Sequence, residues 1–202
     1  MRSNAAGAFA AVLLGMLAAP ALTAAQAKGV TAKFTATTVN VNPGAGETIN
    51  IDVLRWSTDE ERDRLLTALK EKGESQLREA LQAAPTVGYI WTSGSLGYSL
   101  RYAHRVPLPD GGERIIIATD LRLGVWDRNN LWKASGQPTA VDYPFTVVEL
   151  RVNRKGEGEG KMSLATKVTT EVENKTLVLE NYEAAPVLLK GVKREATGQS
   201  GG

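Results

Sequence analysis

Apolar and polar residues alternate with a period of two through much of this sequence between Val30 and Lys193, and no cysteine is present to staple the chain. Period two is the pattern of strands with one covered and one open face. Without disulfides, such strands must hold together by apolar burial and sheet hydrogen bonding. Sequential strands joined by short turns argue against a parallel, doubly wound sheet. The expected fold class is therefore mainly β (α+β): an antiparallel sheet forming a barrel or sandwich, with one inserted helical hairpin.

Val30, Ala32, Phe34 and Ala36 share one phase, which shifts at Val39 and Val41, so a bulge is expected at Thr37-Thr38. Turn residues from Asn42 to Gly46 lead into a strand from Thr48 to Arg55 with Ile49, Ile51 and Val53 on one face. The period then lengthens. Ser57 and Glu60 match the capping box S-x-x-E, and Leu65, Leu66 and Leu69, then Leu77, Ala80, Leu81 and Ala84, make helical stripes. With Gly73 as a break and Pro85 as a stop, the spacing predicts a helical hairpin from Thr58 to Ala84.

After Pro85, Val87, Tyr89 and Trp91 share a phase, and Leu96, Tyr98, Leu100, Tyr102, His104 and Val106 share another. The turn at Pro-Asp-Gly-Gly should pair this run with Glu113 to Thr119, where three consecutive isoleucines imply a strand covered on both faces. Leu121 to Val141 reads as a long irregular loop, a length that in compact domains often carries function. Strands at Tyr143 to Arg154, Lys161 to Val172, Thr176 to Tyr182 and Val187 to Lys193 complete a meander, with Lys155 to Gly160 as a glycine-rich turn. Met162, Leu164, Val168 and Val172 should share one face of the third-last of these, and residues 196–202 read as a disordered tail.

Residues 1–27 have the layout of a cleaved export signal: Arg2 near the start, an apolar stretch from Ala5 to Ala19, then Ala25-Gln26-Ala27. The apolar stretch is short for a membrane span, so periplasmic or extracellular localisation is expected, with no membrane span after cleavage. The mature residues, 28–195 as one β-rich domain plus the tail, carry 23 Lys and Arg against 22 Asp and Glu. So balanced a charge argues against nucleic acid as a partner. With no Cys and a single His, zinc sites of the Cys/His type, H-E-x-x-H peptidases, cysteine nucleophiles and iron–sulfur clusters are excluded, and no cofactor is expected.

His104 is the sole imidazole, so histidine-based catalysis would have to pass through it, though its alternation with Tyr98, Leu100 and Tyr102 also suits a structural role. Asp52, Asp110, Asp120, Asp127 and Asp142 are carboxylates near turns without an interpretable pair spacing. Asp127, Asn129 and Asn130 offer clustered oxygen ligands but not the EF-hand layout. Aromatic residues gather at Tyr89, Trp91, Tyr98 and Tyr102 and, in the long loop, at Trp126 and Trp132; amphipathic rings of this kind stack on sugars or anchor partners. Trp126 and Trp132 are the ligand-binding candidates, and no metal site is expected.

The segments Arg55-Trp56-Ser57-Thr58-Asp59-Glu60-Glu61-Arg62, Gly88-Tyr89-Ile90-Trp91 and Leu96-Gly97-Tyr98-Ser99-Leu100-Arg101-Tyr102 resemble a group of exported bacterial proteins with no assigned function. The resemblance implies a bacterial envelope setting and transfers no active site. The leading expectation is an exported non-enzymatic β-rich module that binds a small ligand or envelope protein. Two alternatives stand beside it: a hydrolase using paired carboxylates, with or without His104, and a self-assembling envelope structural protein.

Overall fold

The computed structural model describes residues 29–42, 44–124, 132–134, 144–163, 168–173, 175–179 and 186–196. Its strands are β1 (Ala32–Thr38), β2 (Val41–Asn42), β3 (Thr48–Val53), β4 (Gly88–Thr92), β5 (Tyr98–Leu100), β6 (Tyr102–Pro107), β7 (Glu113–Thr119), β8 (Lys133–Ala134), β9 (Thr146–Val152), β10 (Glu157–Met162), β11 (Val168–Glu171), β12 (Thr176–Leu179) and β13 (Val187–Glu195). Helices α1 (Asp59–Lys72) and α2 (Glu74–Ala83) lie between β3 and β4.

Nine strands form one antiparallel sheet in the order β5-β4-β3-β1-β13-β10-β9-β7-β6. Its two edge strands, β5 and β6, are consecutive in the chain and separated only by Arg101. Val87 N–H donates to Leu100 O on one side of that joint, and Arg101 N–H donates to Ala118 O on the other, each at 2.8 Å. One bent strand thus belongs to both edges, and the sheet curls round into a nearly closed barrel. The remaining seam is bridged by the chain leaving β3: Ser57 N–H donates to Ala103 O (2.8 Å) and Ala103 N–H donates to Ser57 Oγ (3.1 Å). Around the barrel the long strands follow chain order, and β1 pairs with β13 to join the two ends of the meander.

With β5 and β6 taken together the barrel has eight strands, a size whose interior side chains can fill completely. Here apolar side chains occupy it: Phe34, Ile49, Ile51, Ile90, Leu100, Ile115, Ile117, Leu150, Met162 and Leu189 are among the buried residues of one cluster. A second cluster lies outside the wall, where Tyr102, Ile116, Ala118 and Val147 project from β6, β7 and β9 beneath Leu65, Leu69, Leu77 and Leu81 of the helices and Val168, Leu177 and Leu179 of the β11–β12 hairpin. The isoleucine triplet is therefore covered on both faces, as its sequence predicts, and the helical hairpin covers the outside of the barrel. No helix among the described residues is long and apolar enough to cross a membrane.

Several local expectations are displaced. The capping box of α1 sits one residue later, with Thr58 Oγ1 accepting from Glu61 N–H (3.2 Å) and Glu61 reaching back to Thr58 N–H (2.9 Å), because Ser57 is engaged by the seam. The bulge lies on β13: Thr35 and Thr37 pair with Lys193 and Lys190, and the same irregularity recurs against β10. The predicted strand from Lys161 to Val172 is two strands, β10 and β11, and β11 with β12 forms a separate hairpin in which Val172 is exposed. The glycine-rich turn is largely strand. Gly158 lies in β10, and a Cβ there would stand 1.8 Å from Arg151 O, so only glycine lets β10 approach β9 this closely.

Candidate functional site

The alternation expected to put His104 with Tyr98, Leu100 and Tyr102 is broken at Arg101. Leu100 and Ala103 both belong to the interior cluster, an odd spacing that reverses the faces, and Tyr98 packs inside while Tyr102 packs outside. The joint is fixed by the Arg101 guanidinium, which donates to Asp120 Oδ1 (3.0 Å), Ala84 O and Thr86 Oγ1 (both 3.2 Å). His104 consequently shares the outer face with Tyr102 alone among these, the rings stacked with centroids 6.1 Å apart.

Half-buried between β7 and α1, His104 has neighbours of both signs. Desolvation pushes its imidazole below the ordinary 6.5, Arg62 and Arg114 push the same way, and Asp59 opposes them. Burial pushes the Tyr102 phenol up to about 12, with the Thr176 hydroxyl and Arg62 pulling down and Asp63 adding to the rise. Arg62 is held by Asp59 Oδ1 (2.8 Å) and Asp63 Oδ1 (3.0 Å), and Arg114 is paired with Glu171 of the outer hairpin. The Arg62 pairs lie within α1, whereas Arg114 and Glu171 tie the β11–β12 hairpin to the barrel wall. A folded state that resists protonating His104 loses stability as pH falls below about 6.5, where the unfolded chain takes up the proton first, and the loss levels off once the folded imidazole also titrates. Denaturant midpoints at about pH 7.5 and about pH 5.5 should therefore diverge more for the native sequence than for His104→Gln. Equal divergence would show that His104 is as solvated in the folded chain as in the unfolded one.

The acids do not gather at His104. Asp52 is on the outside of β3 beside Lys33 (3.8 Å), Asp110 accepts from Gly112 N–H in the β6–β7 turn (2.8 Å), and Asp120 pairs with Arg101 (3.0 Å). Asp127, Asn129, Asn130, Asp142 and Trp126 lie outside the described residues, as do residues 1–28 and 197–202. No group of three or more His, Asp or Glu residues placed to hold a metal occurs among the described residues.

Trp132 is 1 % exposed and belongs to the interior cluster with Val41 and Leu123. Its segment crosses one end of the barrel, where β8 pairs with β2, Trp132 N–H donates to Gly124 O (3.0 Å) and Arg122 donates to Trp132 O (2.6 Å). The indole lies between Gly44 and Gly124, both at positive φ; a Cβ on either would stand within 2.4 Å of Trp132 atoms. The indole thus fills the end of the barrel and offers almost no surface.

Aromatic surface appears instead on β4. Gly88, Ile90 and Thr92 point inward, so exposed Tyr89 (44 %) and half-buried Trp91 lie on the outer face of the wall, about 7 Å apart along the strand. Val87, expected in their phase, turns inward just before the strand and is buried. Register extends the two rows sideways: Ser99, Tyr89, Asp52 and Lys33 in one, Trp91, Asn50, Thr35 and Lys193 in the other. No hydrogen bond joins the side chains of Tyr89, Trp91, Asn50, Ser99 or Thr35 to any other described residue. Two rings thus stand among half-buried polar groups whose hydrogen-bonding capacity is open to a ligand.

No family model matches the chain, and neither the curated proteins nor the solved structures contain a significant match to it.

Proposed function

We propose that this protein is an exported, non-enzymatic β-barrel module of the bacterial envelope that binds a ligand or partner on its outer wall, through the β3–β4 face. The observation that carries this reading is the pair Tyr89 and Trp91, standing out from a sheet face whose neighbouring Asn50, Ser99 and Thr35 side chains have no hydrogen-bond partner among the described residues. An interior filled with apolar side chains directs binding to the outside. The export reading rests on residues 1–27.

Immobilised mature chain, from Lys28 onward, should retain a component of a bacterial envelope extract, and the Tyr89→Ala, Trp91→Ala double variant should retain less than about a tenth as much. Equal retention by both chains would remove the β3–β4 face from the proposal. Because neither ring belongs to the interior or the outer apolar cluster, the double variant should stay folded, and its circular dichroism and melting separate loss of binding from loss of fold.

A further inference from the structure

Resting on the binding role assigned to the β3–β4 face, we infer that its ligand is a neutral saccharide chain, stacked on Tyr89 and Trp91 and hydrogen-bonded by Asn50, Ser99 and Thr35. A pyranose ring has an apolar C–H face and a rim of hydroxyls. The first is complementary to an aromatic face, and the second needs groups that both donate and accept. Asn supplies both from one amide, and Ser and Thr hydroxyls do the same. Tyr89 is flanked in register by Ser99 and Asp52, and Trp91 by Asn50 with Thr35 beyond it, so each ring has such a group directly beside it.

Charge narrows the class. The carboxylate in register beside Tyr89, Asp52, is matched by Lys33 3.8 Å away, and Lys193 lies at the far end of the Trp91 row, beyond Asn50 and Thr35, so no ionised group beside the rings stands uncompensated to select an ion. Shape narrows it again. Small molecules are ordinarily recognised in pockets that enclose most of their surface, whereas this is the outer wall of a sheet, suited to successive rings of a chain. A protein interface of stable size needs a desolvated apolar centre. Here two rings stand singly among Asn, Ser, Thr, Asp and Lys.

The test titrates the mature chain with soluble oligomers of glucose, α- and β-linked, and of N-acetylglucosamine, read by tryptophan fluorescence and calorimetry. At least one series should bind, more tightly with each added sugar, with Tyr89→Ala and Trp91→Ala each weakening it about tenfold or more and Trp91→Phe weakening it less. Circular dichroism and melting of the variants confirm that they remain folded. Sugar binding that is unchanged in all three variants overturns the site. Absence of sugar binding, combined with retention of an envelope protein that the double variant loses, overturns the saccharide while leaving the binding role intact. Absence of both overturns the two together.

Discussion

Trp132→Ala should lower the unfolding free energy by about 3–5 kcal/mol, the range for truncating a large buried ring, and should alter ligand binding only as far as it unfolds the chain. The side chain is 1 % exposed and fills one end of the barrel between Gly44 and Gly124. Both glycines have positive φ, and both lie close enough to the indole that no side chain could stand between. The surroundings are thus fixed by backbone, and a cavity left there has little means of collapsing. Denaturant titration followed by circular dichroism measures the loss directly. Tyr89→Ala and other truncations at exposed positions of the outer wall should shift stability by only about 0.5 kcal/mol. If Trp132→Ala were as benign as these while ligand binding failed, the indole would be a contact residue and the barrel end would have to open.

The class of fold is legible because strands such as Thr48–Val53 and the isoleucine triplet of β7 carry the burial pattern in their own residues. The helical hairpin is legible for a different reason: leucine spacing and a cap are local signals that need no partner. What the alternation does not carry is which way a strand faces. Leu100 and Tyr102 are two apart and should point together, yet the chain reverses at Arg101 because a guanidinium there gathers Asp120, Ala84 and Thr86, residues distant in sequence. On β4 the inward residue opening the strand is Gly88, which has no side chain to register in a hydrophobic pattern, so Val87 stands in its place and Tyr89 and Trp91 read as its companions. That one glycine hides the outward face on which the candidate site stands. Gly158 misleads in the same manner, since a glycine needed for strand contact resembles a glycine needed for a turn. Trp132 was legible as an unusual residue in an irregular stretch, but its burial depends on two glycines, one 88 positions before it and one 8 positions before it.

Ile116→Ala should destabilise the protein by about 2–5 kcal/mol, as much as truncation of Ile115 or Ile117 inside the barrel. On a sheet face open to water the same change would remove little buried area and cost well under 1 kcal/mol. Ile116 is instead 1 % exposed on the outer wall, in register between His104 and Glu149 and in one apolar cluster with Leu65, Leu69, Leu77, Leu81, Leu177 and Leu179. Removing Ile116 from that cluster weakens the attachment of α1, α2 and the β11–β12 hairpin, none of which belongs to the barrel sheet. Loss of stability should therefore be accompanied by local opening. Hydrogen exchange should show the amides of Asp59–Lys72 and Glu74–Ala83 exchanging faster in Ile116→Ala, while those of β1 and β13, which pair at the meander's junction, keep their protection until the whole chain unfolds. Truncating Ile115 or Ile117 should instead weaken both regions together, because those side chains hold the wall itself. Uniform acceleration in all three variants would mean that the helices and barrel melt as one cooperative unit. Unchanged helix exchange in Ile116→Ala would mean that the remaining side chains of the cluster hold the helices to the wall without it.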